Sequence, residues 1–160
     1  MIEVKVSALA IDQVTKTPIV FLKEVDGDMF LPIWIGPYEA DAIARGLEKE
    51  KLPRPFTHDL IKNILNGFNI NMLKIVVNKI ENETYYATLV LEKNGELFEV
   101  DARPSDSIAI ALRMNIPLYV EDDVMKKNGT SIELDSEIKK KALKEHLKNL
   151  DLENFGKYKL

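Results

Sequence analysis

"GPYEADAIA" occupies residues 36–44, and "RPSDSIAIA" occupies residues 103–111. The two align without a gap: Pro37 on Pro104, Glu39 on Asp106, and Ala42-Ile43-Ala44 on Ala109-Ile110-Ala111. In each, a proline stands where a helix can begin, because the first helical N–H has no partner inside the helix and its loss costs nothing there. The acid two residues later falls at the third helical position, close enough to reach back to the backbone N–H of the cap. Helices are therefore expected over 37–50 and 103–115.

Upstream of the first helix, Ile2, Val4 and Val6 alternate with Glu3, Lys5 and Ser7, the pattern of a half-buried strand. "TPIVFLKEV" (17–25), the turn signal "DGD" (26–28) and "MFLPIWIG" (29–36) then read as a hairpin, with Pro32 marking an edge position or a bulge. Upstream of the second helix, "INMLKIVVNKIEN" (70–82) and "TYYATLVLEK" (84–93) read as strands, and "NG" (94–95) turns the chain into "ELFEVDA" (96–102). The order strand–strand–turn–strand–proline–helix thus occurs twice, over about 2–50 and 70–115, and is read as an internal duplication of a βββα unit. The glycine-to-proline spacing differs by one residue between the copies, which a bulge near Pro32 accommodates.

The expected fold class is α+β: two βββα repeats form a mostly antiparallel sheet region with helices packed on it. Between the repeats lies an inserted helix over 57–68, in which Leu60, Ile61, Ile64, Leu65 and Phe68 share one face and Gly67 is the stop. "IPLYVEDD" (116–123) adds a short strand, and 134–149 is expected to be a C-terminal helix capped by Asp135 or Ser136. Residues 1–130 form the domain, with 131–160 as a helix and tail. Trp34, in an alternating apolar strand, is assigned to the core.

Composition narrows the function classes. The chain has 160 residues, 46% of them hydrophobic and 30% charged, which suits a folded domain with a core of its own. No apolar run approaches the roughly 18 residues of a membrane span, and the N-terminus alternates rather than showing a signal sequence. The absence of cysteine excludes disulfides, thiolate zinc sites and cysteine nucleophiles, and a cytoplasmic protein fits best. At a formal charge of −4 and pI near 5.3, any nucleic-acid contact must come from a local basic patch and will be weak and salt-sensitive.

The polar residues that can carry chemistry gather at helix starts. In "RPFTHDL" (54–60), Thr57 has the chemistry of a helix cap and Asp59 suits the first turn. His58, one of only two histidines, has no such structural duty, and Arg54 is a cation mounted between two prolines. Glu39 and Asp106 are either capping acids or a pair brought together by the repeat. In the second case they can bind Mg²⁺ or Mn²⁺, hard ions that prefer oxygen ligands, with Asp59 as a third ligand. Arg103 and Ser105, at a strand-to-helix junction, can recognise a phosphate, or Arg103 can pair with Asp101 or Asp106. Lys139, Lys140, Lys141, Lys144 and Lys148 are the densest positive charge, a solvated helix face or a nonspecific nucleic-acid contact.

Together "LPIWIGPYEADAIA", "RPFTHDL" and "RPSDSIAIALRMNIPLYV" resemble the bifunctional nuclease domain family, in its order and spacing, over roughly residues 4–125. The resemblance implies a small, dimeric α+β protein with hydrolytic activity on DNA and RNA. The family's recurrent polar positions fall on Glu39, Arg54, Thr57, His58, Asp59, Arg103, Ser105 and Asp106.

Two functions follow as expectations. One is a nuclease in which His58, Glu39 and Asp106 are catalytic. There Arg54, Thr57, Arg103 and Ser105 bind substrate, and Glu39, Asp106 and Asp59 hold the cation if Mg²⁺ or Mn²⁺ is used. The alternative is a non-catalytic homodimeric module that binds a ligand or a protein, its acids serving as caps and its arginines tying the helix starts together.

Overall fold

The computed structural model describes residues 1–131. Its strands and helices run β1 Ile2–Ile11, β2 Pro18–Glu24, β3 Phe30–Trp34, α1 Pro37–Glu48, α2 Thr57–Gly67, β4 Asn71–Glu81, β5 Thr84–Lys93, β6 Glu96–Ala102, α3 Pro104–Met114, β7 Leu118–Val120 and α4 Asp122–Asn128. The fold is α+β as expected, with both βββα runs in place. The C-terminal helix expected over 134–149 lies outside the described residues.

Seven strands form one sheet in the order β3-β2-β1-β7-β4-β5-β6. Each βββα run contributes a three-stranded antiparallel meander, and β7 joins them, antiparallel to β1 and parallel to β4. The Asn94–Gly95 turn has both residues at positive φ, as a two-residue hairpin requires, and Asn82–Glu83 turns β4 into β5 in the same way. In the first meander the β2–β3 connection is longer, running over residues 25–29, and β3 is shorter than β6. That difference, not a bulge, accounts for the shifted spacing. The β2–β3 register is continuous through Pro32, whereas the shifts fall in β1 between Val6 and Ala8 and twice in β4. Pro32 does sit on an edge strand, where its missing N–H breaks no ladder.

α1 and α3 pack side by side from a common end. Ala40, Ile43 and Ala44 are fully buried, as are Ile108 and Ala109. Small side chains let the helices approach closely: a β-carbon added at Gly46 would lie 3.1 Å from Leu112 Cβ and 3.0 Å from Arg113 Nη1. Leu9, Leu22, Leu31 and Ile75 fill the space between helices and sheet, each contributing about 1.5–3 kcal/mol by leaving water.

One core assignment is corrected. Trp34 is 51% exposed: Leu31, Ile33 and Ile35 point inward, so the alternation sends Trp34 to the opposite face of an edge strand. α2 buries only Leu65 fully, while Leu60, Ile64 and Phe68 stay about half exposed. Among the described residues the helix packs mainly on α3 and also touches β4. It ends at Gly67, and Asn69 rather than the glycine takes the left-handed turn. The stretch read as one strand over 116–123 divides into β7 and the short helix α4.

Candidate active site

Glu39, Asp59 and Asp106 each occupy the third position of a helix, in α1, α2 and α3 respectively. Only Asp59 performs the expected capping duty, accepting the Phe56 N–H at Oδ2 (3.0 Å). Phe56 is the cap residue of α2, so Thr57 is the first helical residue and makes no cap bond. Glu39 and Asp106 do not cap either. Both turn toward Arg103, which donates from Nη1 to Glu39 Oε1 (3.1 Å) and from Nε to Asp106 Oδ2 (2.7 Å). Glu39 folds over Gly36, occupying the place a β-carbon would take there.

The second oxygen of Asp106 lies 2.9 Å from His58 Nε2. A chain of contacts therefore runs Glu39–Arg103–Asp106–His58 and ties together the first turns of all three helices. Burial works to raise the Asp106 pKa, but hydrogen bonds and charge from Arg103 and His58 outweigh it and hold the carboxyl below its usual range. The same contact with Asp106 pushes Arg103 further up. An ionised carboxylate only accepts hydrogen bonds, so Nε2 of a neutral His58 must carry the proton, leaving the Nδ1 lone pair free to take another. The His58 side chain is 13% exposed and Arg103 64%. Two of the guanidinium's five N–H donors are committed to carboxylates, and the rest make no hydrogen bond among the described residues.

These groups line a cavity of about 480 Å³, whose wall also includes Tyr38, Thr57 and Ile61. Ser105 is buried and lines an adjoining cavity, not this one. Arg54 is exposed on the approach to α2 and does not line this cavity. Asp101 is exposed on β6 opposite Thr88, so Arg103 pairs with Asp106 and Glu39 instead.

The carboxylates proposed from sequence as metal ligands are arranged otherwise. The Arg103 guanidinium stands between Glu39 and Asp106, and Asp59 gives one oxygen to Arg113 and the other to Phe56. Among the described residues no group of three His, Cys, Asp or Glu is placed to hold a metal ion. As arranged, the donor set does not fit a divalent cation, which requires several oxygens free of competing cations.

Arg113 was not singled out from sequence. It is 8% exposed, donates to Asp59 Oδ1 (2.9 Å) and to the Ala42 and Ala109 carbonyls (2.9 and 2.8 Å), and so pins α1, α2 and α3 together in the cavity wall. Its signal was present in the aligned helices, where Arg113 matches Gly46: α3 supplies the long side chain and α1 the room for it.

No helix among the described residues is long and apolar enough to cross a membrane. The family model for the bifunctional nuclease domain matches residues 20–133. An uncharacterised protein of Mycobacterium tuberculosis (strain CDC 1551 / Oshkosh) is 40% identical over 130 residues, 81% of this chain and 77% of that protein. Bifunctional nuclease 1 of Arabidopsis thaliana is 29% identical over 119 residues, and bifunctional nuclease 1 of Oryza sativa subsp. indica 27% over 117. Those matches take in 72% and 71% of this chain but only 37% and 35% of the plant proteins. With the family model matching well over half of the sequence, the chain belongs to the bifunctional nuclease domain family.

Proposed function

We propose that the chain is a nuclease that hydrolyses phosphodiester bonds of DNA and RNA at the His58–Asp106–Arg103 cluster. The observation that carries this reading is an imidazole whose outer nitrogen is fixed by an ionised carboxylate to one role, beside an exposed guanidinium in an open cavity. His58 Nδ1 takes a proton from the attacking water as the new O–P bond forms. The ester P–O bond breaks with its electron pair on the leaving oxygen, which then receives the proton from His58. Asp106 stabilises the transient imidazolium, and Arg103 faces the negative charge that builds on the phosphate oxygens. Glu39 acts as a positioning residue by holding Arg103. Mg²⁺ or Mn²⁺ dependence is an arm of the test, with Glu39, Asp106 and Asp59 free to act as ligands only if they leave their arginines.

The same reading takes the protein as cytoplasmic and homodimeric. The half-exposed Leu60, Ile64 and Phe68, spaced four residues apart along α2, are a surface that a second copy would cover. A non-catalytic dimeric module remains the alternative, favoured by the arginines that tie the three helix starts together.

The deciding experiment is cleavage of labelled single-stranded RNA and duplex DNA at low salt, with Mg²⁺, Mn²⁺ or chelator, by wild type and by separately purified His58→Ala. General acid–base catalysis predicts a loss of about 10²–10⁴-fold in a variant that remains folded. Equal cleavage by both proteins means a contaminant or another site. No cleavage by wild type leaves the binding module.

A further inference from the structure

The cavity that holds His58 adjoins a second one of about 380 Å³. Glu39 and Arg103 line both, and the second is also lined by Trp34, Tyr85 and Ser105. Trp34 is the only tryptophan of the chain, and it stands half exposed where an edge strand would accept any small polar residue. Its indole is nevertheless fixed: Nε1–H donates to Asp12 Oδ2 (3.0 Å). Asp12 is itself held in place by the Val14 and Thr15 N–H groups. A ring that is both exposed and already oriented loses little conformational freedom when something stacks on it.

We propose that this second cavity binds an unpaired nucleobase, stacked on Trp34 beside Tyr85, while the adjoining phosphate reaches Arg103. The proposal rests on the phosphodiesterase reading and narrows its substrate to single-stranded nucleic acid, because a base within a duplex has both faces covered by its neighbours. Stacking suits this chain for an electrostatic reason. At a net charge of −4 it gains little from the phosphate backbone, and base–aromatic contact does not depend on net charge. Stacking is also indifferent to base identity and to the sugar, so DNA and RNA strands fit alike.

Because Trp34 is the sole tryptophan, its fluorescence reports on the site directly. The test titrates wild type with a phosphorothioate-linked oligothymidylate and with its duplex, while anisotropy of a labelled strand follows binding independently. The expected result is quenching by the single strand and little by the duplex. Trp34→Ala should weaken single-strand binding roughly tenfold or more, and Trp34→Phe should recover most of it. If the labelled strand binds while the tryptophan signal stays flat, and Trp34→Ala binds as wild type does, the stacking site is wrong. The nuclease reading then stands or falls on cleavage alone. Duplex binding as tight as single-strand binding overturns the substrate class. Absence of both binding and cleavage overturns this inference and the function it rests on.

Discussion

α1 and α3 are close in sequence and differ in what their charges do. In α1, Arg45 finds its carboxylates at Asp41 and Glu50, four and five residues away, and its guanidinium lies over the Phe56 ring. In α3, every ionic partner but one is distant: Arg103 reaches Glu39, Asp106 reaches His58, and Arg113 reaches Asp59, with only Arg103–Asp106 formed locally. At the cap the contrast is sharper. Gly36 offers α1 no side chain, and Arg103 offers α3 one that spans both helices. α1 thus supplies space and α3 fills it with charge, and the candidate site lies where the two helix starts differ.

The largest expected effect tests which helix holds the assembly together. Arg113→Ala leaves Asp59 and two carbonyls without their donor and should cost about 3–4 kcal/mol. Arg45→Ala, one of whose carboxylate partners is the 43% exposed Glu50, should cost less, about 1–2 kcal/mol. Urea unfolding monitored by circular dichroism measures both, and equal losses would mean that the local pairs of α1 matter as much as the long-range ones of α3.

The next effect is on activity. Asp106→Asn keeps the shape of the side chain but removes the charge that orients and stabilises His58, so cleavage should fall about 100-fold, roughly 2.7 kcal/mol of transition-state stabilisation. Glu39→Gln, which leaves Arg103 still paired with Asp106, should stay within about threefold of wild type. A Glu39→Gln defect as deep as that of Asp106→Asn would show the two acids acting as equals, in the manner of joint metal ligands.

The smallest effect is a pH dependence. The folded pKa of Asp106 is lowered, so its contribution to stability is complete above the unfolded carboxyl value of about 3.9 and is lost as pH falls through the folded value. Urea midpoints followed from pH 6 downward should fall less steeply in Asp106→Asn than in wild type. Parallel acid limbs would mean that Asp106 gains nothing from Arg103 and His58.

Much of the framework was legible because it rests on local rules. Pro37 and Pro104 marked both helix starts, Asn94–Gly95 marked its hairpin, and the strands followed from alternation. The errors came where burial had to be inferred from pattern. α2 has an apolar stripe, yet only Leu65 of it is buried. Trp34 alternates correctly but faces away from Leu31, Ile33 and Ile35 on an edge strand and stays half exposed. The site was half legible. Glu39, His58, Arg103 and Asp106 were named from residue type and position, and they do meet. Thr57 lines their cavity without the cap bond assigned to it, Ser105 and Arg54 fall outside that cavity, and Arg113 went unnoticed.

By itself, then, the sequence determined the elements and the chemistry available at their ends, because propensity, capping and turn geometry act over a few residues. Only the tertiary structure decided that the acids of α1 and α3 would share one arginine, and that His58 would meet Asp106 rather than Glu39. Those choices join residues 48 to 64 positions apart. They depend on how closely two alanine-rich helices pack, and no local rule carries that information.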